Sequence, residues 1–170
     1  MKNKIIIGII ALFTLQSSVS CRTQKTKKAY MRKTYKRMKR DLTFAEVSKL
    51  DDTVKVIFPS NLMFGFNSSS ISESVMPKMS RFANALNKFE KTAILINGHT
   101  DNVGEMAYND ALSTKRADTA KAALILYKVN PDRINTWGLG MRHPIASNET
   151  EEGKAKNRRV EFVILYREEK

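Results

Sequence analysis

From residue 51 onward, hydrophobic positions switch between two periods, and the switches outline the elements. Thr53 to Phe58 is rich in Val, Ile and Phe and ends at Pro59, which predicts a strand. Asn61 to Asn67 reads as a second, short extended piece, and serines 68–70 as a loop. Met76, Met79, Phe82, Ala83, Leu86 and Phe89 then recur at three- and four-residue steps, the spacing of an amphipathic helix with Pro77 in its first turn. Thr92 to Asn97 predicts a strand stopped by Gly98. A long helix is predicted from about Glu105 to Tyr127, ending ahead of Pro131. Ile134 to Leu139 is a further strand, Pro144 to Lys156 a polar connector with a short helical piece, and Arg158 to Tyr166 the last strand. The order strand–helix–strand–helix–strand–strand predicts an α/β (α+β) sandwich with helices packed on a mixed sheet. No internal repeat is visible.

The first fifty residues follow a different pattern. Lys2 and Lys4 precede an apolar run, Ile5 to Leu15, and the small or polar residues Ser17, Ser18, Val19 and Ser20 follow it. This is the layout of a secretion signal. About eleven apolar positions at ~1.5 Å rise do not cover a ~30 Å hydrocarbon core. A buried core helix is the other reading, and the ten bases that follow oppose it. Cys21 is the sole cysteine, so no intramolecular disulfide forms. The run Ser18-Val19-Ser20-Cys21 resembles a bacterial lipobox, which implies acylation at Cys21; Ser18 stands where leucine is usual.

Charge sharpens this division. Of the net +13, residues 21–40 contribute +10 through ten bases and no acid, and residues 1–20 contribute +2. The part beyond residue 40 is close to neutral, which removes the main support for nucleic-acid binding by the domain. The stretch Lys25 to Arg40 reads as a tether with too little apolar content and too much like charge to fold alone. Attraction to anionic headgroups and a solvated spacer are both open readings of it. The expected organisation is a signal peptide at 1–20, a lipidated cysteine and basic tether at 21–50, and one domain at 51–170.

Candidate chemistry collects at the head of the long helix. Asn109, Leu112, Ser113 and Arg116 fall within about 100° of its circumference. The same stripe continues into Ala120, Ala123, Leu124 and Tyr127, so it turns from polar to apolar along its length. The loop before it, Gly98-His99-Thr100-Asp101-Asn102, leaves the C-terminal end of a strand, where α/β folds tend to build sites. Asp101 alone reads as a helix cap and Arg116 alone as a surface arginine. Together they offer opposite charges at one loop–helix junction, an arrangement suited to a zwitterion. Ser113, His99 and Asp101 make a hydrolase only on paper, because no nucleophile elbow surrounds Ser113. His99 and His143 lack metal-ligand spacing, and His99 reads as a structural loop residue.

These residues carry a resemblance. Gly98-His99-Thr100-Asp101, Tyr108-Asn109, Leu112-Ser113-Thr114-Lys115-Arg116-Ala117, Gly138-Leu139-Gly140, Pro144, Asn148 and Asn157-Arg158-Arg159-Val160-Glu161 resemble, in order and spacing, the OmpA-like C-terminal domain family, over about residues 54–166. Leu62-Met63-Phe64-Gly65-Phe66-Asn67 is similar to that family's first motif, with Asn67 where an aspartate is common. The resemblance implies a β-α-β-α-β-β sandwich that binds peptidoglycan non-covalently through diaminopimelate in the stem peptide. It implies that Asp101 takes the diaminopimelate ammonium and Arg116 its carboxylate, and that Asn109, Leu112 and Ser113 shape the groove. Arg158 or Arg159 adds a polar contact. Thr100, Ala117, Phe66 and Asn67 complete the implied binding set. No catalytic residue, cofactor or metal is implied. The expected protein is an outer-membrane lipoprotein facing the periplasm, whose partners are peptidoglycan, the membrane and other envelope proteins. A Tol/Pal-like protein scaffold is the alternative. A flagellar-stator role would need a membrane helix bearing an acid, which Ile5 to Leu15 does not supply.

Overall fold

The computed structural model describes residues 24–65 and 68–168. The expected signal segment, Cys21, Phe66 and Asn67 lie outside the described residues. Ten elements follow one another: helix α1 (24–41), strands β1 (Glu46–Leu50) and β2 (Thr53–Pro59), a helical turn α2 (Ser60–Met63), helix α3 (Met76–Asn87), β3 (Thr92–His99), α4 (Met106–Leu126), β4 (Ile134–Gly140), α5 (Glu151–Asn157) and β5 (Arg159–Tyr166). The strands form one mixed sheet in the order β1-β2-β5-β3-β4, with β3 and β4 parallel and the other pairs antiparallel.

The core lies on one sheet face. Cross-strand rows Val54–Ile164–Ile94 and Val56–Phe162–Ile96 put branched and aromatic side chains side by side. Phe58, Phe82 and Phe162 close the centre, with ring centroids 4.9 to 5.7 Å apart. Helix α3 buries Met79, Phe82, Ala83 and Leu86 against this face, as its spacing predicts. At one edge, Arg133 is buried and donates to the carbonyls of Thr92 (2.7 Å) and Phe89 (2.8 Å), tying the α3–β3 connection to the start of β4.

Three expectations change. The stretch 24–41 is not a loose tether but a helix whose Met31, Thr34 and Met38 are fully buried, with Leu42 beyond its end. Tyr30 packs edge-on against Phe89 and Tyr166, both at 5.6 Å, and its hydroxyl accepts from the Lys91 amide. Burying that one face offsets the like-charge repulsion on the other. The folded unit therefore starts well before Asp51, and β1 pairs with β2 across the Asp51–Asp52 turn. The piece expected to be extended from Asn61 instead begins as the turn α2, with Phe64 in a single bridge to Ile71. Gly98 does not stop β3, which runs on to His99 through a register shift.

The adjacent glycines Gly98 and Gly138 pair across β3 and β4. A Cβ on Gly98 would overlap the Ser113 carbonyl, and one on Gly138 would sit 2.6 Å from the Thr114 amide nitrogen. Their bare backbone lets α4 lie directly on the sheet, which brings the helix head to the ends of the strands.

Candidate ligand-binding cleft

A cleft of about 760 Å³ opens at that end of the sheet. Four segments wall it: Ser60 to Gly65 around α2, the loop Thr100 to Gly104 after β3, the head of α4 with Tyr108, Asn109, Leu112 and Arg116, and α5 with Glu151 and Lys154, followed by Arg158 in the extended link to β5. Asp101 and Arg116 share this cleft, and both are nearly buried, at 8% and 5% exposed.

Asp101 is not the helix cap. Helix α4 is capped by Glu105 in extended geometry, without a side-chain bond. One Asp101 oxygen accepts from the Val103 amide at 3.2 Å, and the other accepts from Arg158 Nη1 at 2.5 Å. The loop is held on both sides: the Thr100 hydroxyl donates to the Asp101 carbonyl (2.9 Å), and Asn109 Nδ2 donates to the Val103 carbonyl (2.9 Å). Arg116 donates from Nε to the Ser68 carbonyl at 3.0 Å, and its guanidinium lies 5.3 Å from the Phe64 ring centroid. Its Nη atoms make no hydrogen bond among the described residues. Burial lowers the Arg116 pKa, while Tyr108 and Asp101 oppose that fall. The side chain stays cationic all the same. The Ser60 hydroxyl, in the cleft wall, is buried without a hydrogen-bond partner among the described residues. The cleft thus offers a carboxylate held by one arginine, a second arginine with open donors, and an apolar wall of Phe64, Val103 and Leu112.

Asp101, Arg116, Asn109, Leu112, Thr100 and Arg158 therefore come together around one cleft. Ser113 does not line it: its hydroxyl donates to the Asp110 carbonyl (2.9 Å) and accepts from the Gly140 amide (3.0 Å), clamping α4 to β4. Ala117 is core. Arg158 and Arg159 part company, because neighbours on a strand point to opposite faces. Arg159 is buried on the far sheet face, where Nε donates to Glu161 at 2.8 Å and Nη2 to the His143 carbonyl at 3.1 Å. Sequence reasoning missed Ser60, Asn61, Phe64, Gly65, Val103, Gly104, Tyr108, Glu151 and Lys154 as cleft residues. Nothing in their spacing links α2 or α5 to the head of α4; only the fold does.

The far-face cluster gives a pH dependence. His99 is 2% exposed, its Nδ1 has no partner among the described residues, and burial, followed by the charge of Arg159, lowers its pKa to about 4. Burial alone would raise the Glu161 pKa, but the hydrogen bond and charge of Arg159, then those of Lys55, lower it on balance. Between pH ~6.5 and ~4 the unfolded chain binds a proton at His99 that the folded chain refuses, so stability falls as pH falls through that window. Glu161 adds a further loss once its unfolded form protonates. Thermal melts should show a loss on the order of 2 kcal/mol between pH 7 and 4.5. His99→Gln should flatten that part of the curve; an unchanged slope would place the sensitivity elsewhere.

Comparisons with known proteins show the family and the fold. Residues 63–158 match the model of the OmpA family. The chain belongs to the OmpA family. It is 38% identical over 122 residues to the probable lipoprotein YiaD of Escherichia coli K12, covering 72% of this chain and 56% of that one. It is 37% identical over 115 residues to the peptidoglycan-binding protein ArfA of Mycobacterium bovis, covering 68% of this chain and 35% of that one. The chain thus spans at most a little over half the length of these OmpA-family relatives. The cell wall anchor of the type VI secretion system of Pseudomonas aeruginosa superposes with a TM-score of 0.70 at 28% identity, over 78% of this chain and 96% of that structure. No described helix is long and apolar enough to cross a membrane.

Proposed function

We propose that this OmpA-family domain binds peptidoglycan through the diaminopimelate of the stem peptide, and that acylation at Cys21 makes the chain an outer-membrane lipoprotein tying membrane to wall. The observation that carries the reading is the pairing of Asp101 and Arg116 in one apolar-walled cleft. The free end of diaminopimelate is a zwitterion. Its ammonium meets the Asp101 carboxylate, and its carboxylate meets the Arg116 fork. The Ser60 hydroxyl and Asn61 lie within the same wall for the peptide's amides. The ArfA and secretion-system relatives, named for peptidoglycan binding and wall anchoring, support the same reading. One such contact gives micromolar to millimolar affinity, about 4–8 kcal/mol. Many copies on one surface then raise the retention through avidity.

The test is co-sedimentation of the purified full-length protein with diaminopimelate-type sacculi in mild detergent. The protein should pellet with the wall, and millimolar free diaminopimelate should return it to the supernatant. A protein that never pellets, or that free diaminopimelate does not displace, counts against the reading.

A further inference from the structure

We propose that the outward face of α1 is a docking surface for an anionic phospholipid bilayer, so that the domain lies against the membrane rather than at the end of a spacer. At about 100° per residue, Lys25, Lys28, Arg32, Lys33, Lys36 and Lys39 fall within roughly 140° of the helix circumference. All six are exposed. Met31, Thr34 and Met38 occupy the opposite side and are fully buried. The division is clean: one face belongs to the core and the other is a straight basic stripe about 21 Å long.

The stripe is unbalanced. No acid occurs from residue 21 to 40. Asp41, just past it, is occupied by Arg37 and by Arg40, the latter at 2.9 Å. Lys25, Lys28, Arg32, Lys33 and Lys36 have no carboxylate partner among the described residues. The pairs Lys28–Arg32 and Arg32–Lys36 are like charges four residues apart, which weakens an isolated helix. The fold does not need these bases, since the buried methionines and Tyr30 hold α1 in place. An external layer of anions turns the same repulsion into attraction.

Position selects lipid as that layer. Only Arg22 and Thr23 separate Cys21 from the start of α1, three Cα steps with a contour of at most about 11 Å. With Cys21 acylated as proposed above, the stripe starts within about one Debye length of the headgroups. The binding itself needs no acyl chain, because the stripe is complete without one. It is independent of the cleft, none of whose lining residues lies on α1.

Full-length protein carrying Cys21→Ser tests this by flotation with vesicles of phosphatidylcholine alone or with one quarter phosphatidylglycerol. The apolar segment 5–15 contributes to both, so the difference reads the stripe. The expected result is at least tenfold stronger partitioning to the anionic vesicles in 0.1 M salt, lost in 0.5 M salt. It should also be lost when Lys25, Lys28, Arg32, Lys33 and Lys36 are all changed to Gln, in a protein that melts normally and still pellets with sacculi. Equal partitioning to the two vesicles, or an advantage that survives 0.5 M salt, overturns the proposal. So does tighter binding to duplex DNA than to anionic vesicles at matched phosphate concentration. The parent's salt dependence decides the matter even if the five-fold variant folds poorly. A protein that fails on vesicles yet pellets with sacculi overturns this proposal and leaves the wall reading intact.

Discussion

Arg116→Ala should remove retention on peptidoglycan while the domain still melts cooperatively. The side chain is 5% exposed in the cleft, with Nε committed to the Ser68 carbonyl and its Nη donors without a hydrogen bond among the described residues. Truncating one partner of a buried charge pair costs about 2–5 kcal/mol, roughly 30-fold to several thousand-fold in affinity. Starting from micromolar to millimolar binding, even the lower bound clears the pellet. The cost to folding is smaller: one hydrogen bond and one stacking contact over Phe64, together about 1–2 kcal/mol, in a domain whose class is stable by about 5–15 kcal/mol. Arg116→Lys keeps the charge but not the fork, so it should retain part of the binding. Arg158→Ala is a useful contrast, because it releases the Asp101 carboxylate without removing it. Retention unchanged in Arg116→Ala would remove the arginine from the ligand site. A broad, non-cooperative melt would make its role structural.

The parts of this site that the sequence displayed are those carried by one periodic element. Asn109, Leu112 and Arg116 sit on a single helix, so their common face follows from spacing alone. Ser113 shares that arc, but depth decides its fate: Gly98 and Gly138 let the helix press so close that Ser113 is used up against β4. Depth is a property of the helix–sheet contact, and no spacing encodes it. Arg158 and Arg159 could not be ranked from composition, yet the two-residue period of β5 sends Arg158 to the cleft and Arg159 to Glu161. The largest error came from averaging. Ten bases between residues 21 and 40 hid Met31, Thr34, Tyr35, Met38 and Leu42, a narrow apolar stripe at three- and four-residue steps. Net charge describes a segment, whereas folding responds to one face of it. Edge strand β1 was missed for a related reason: Glu46 to Leu50 is largely exposed, so burial left no alternation to read.

Gly98→Ala should be strongly destabilising for a change of one methyl. Helix α4 reaches the sheet at Gly98, where an added Cβ would overlap the Ser113 carbonyl oxygen and lie 2.8 Å from its carbon. The obstacle is helix backbone, which cannot rotate out of the way as a side-chain tip can, so α4 must lift. Lifting it breaks the Gly140–Ser113 bond and opens the apolar contact of Ala117 and Ala120 with the strands. Overpacking of this kind costs about 3 kcal/mol or more, a fall in melting temperature on the order of 10 °C. The same motion displaces Asn109, Leu112 and Arg116 relative to Asp101, which rides on the β3 loop. Wall binding should therefore weaken even at temperatures where the variant is fully folded, and that second effect separates a shifted helix from general instability. Gly65→Ala is the control: among the described residues its added Cβ meets only the Ser68 Cβ at 3.7 Å, ordinary contact, and should change stability by less than about 0.5 kcal/mol. A Gly98→Ala protein that melts with the parent would mean that α4 has room to spare above β3, and the close approach that builds the cleft would lose its role.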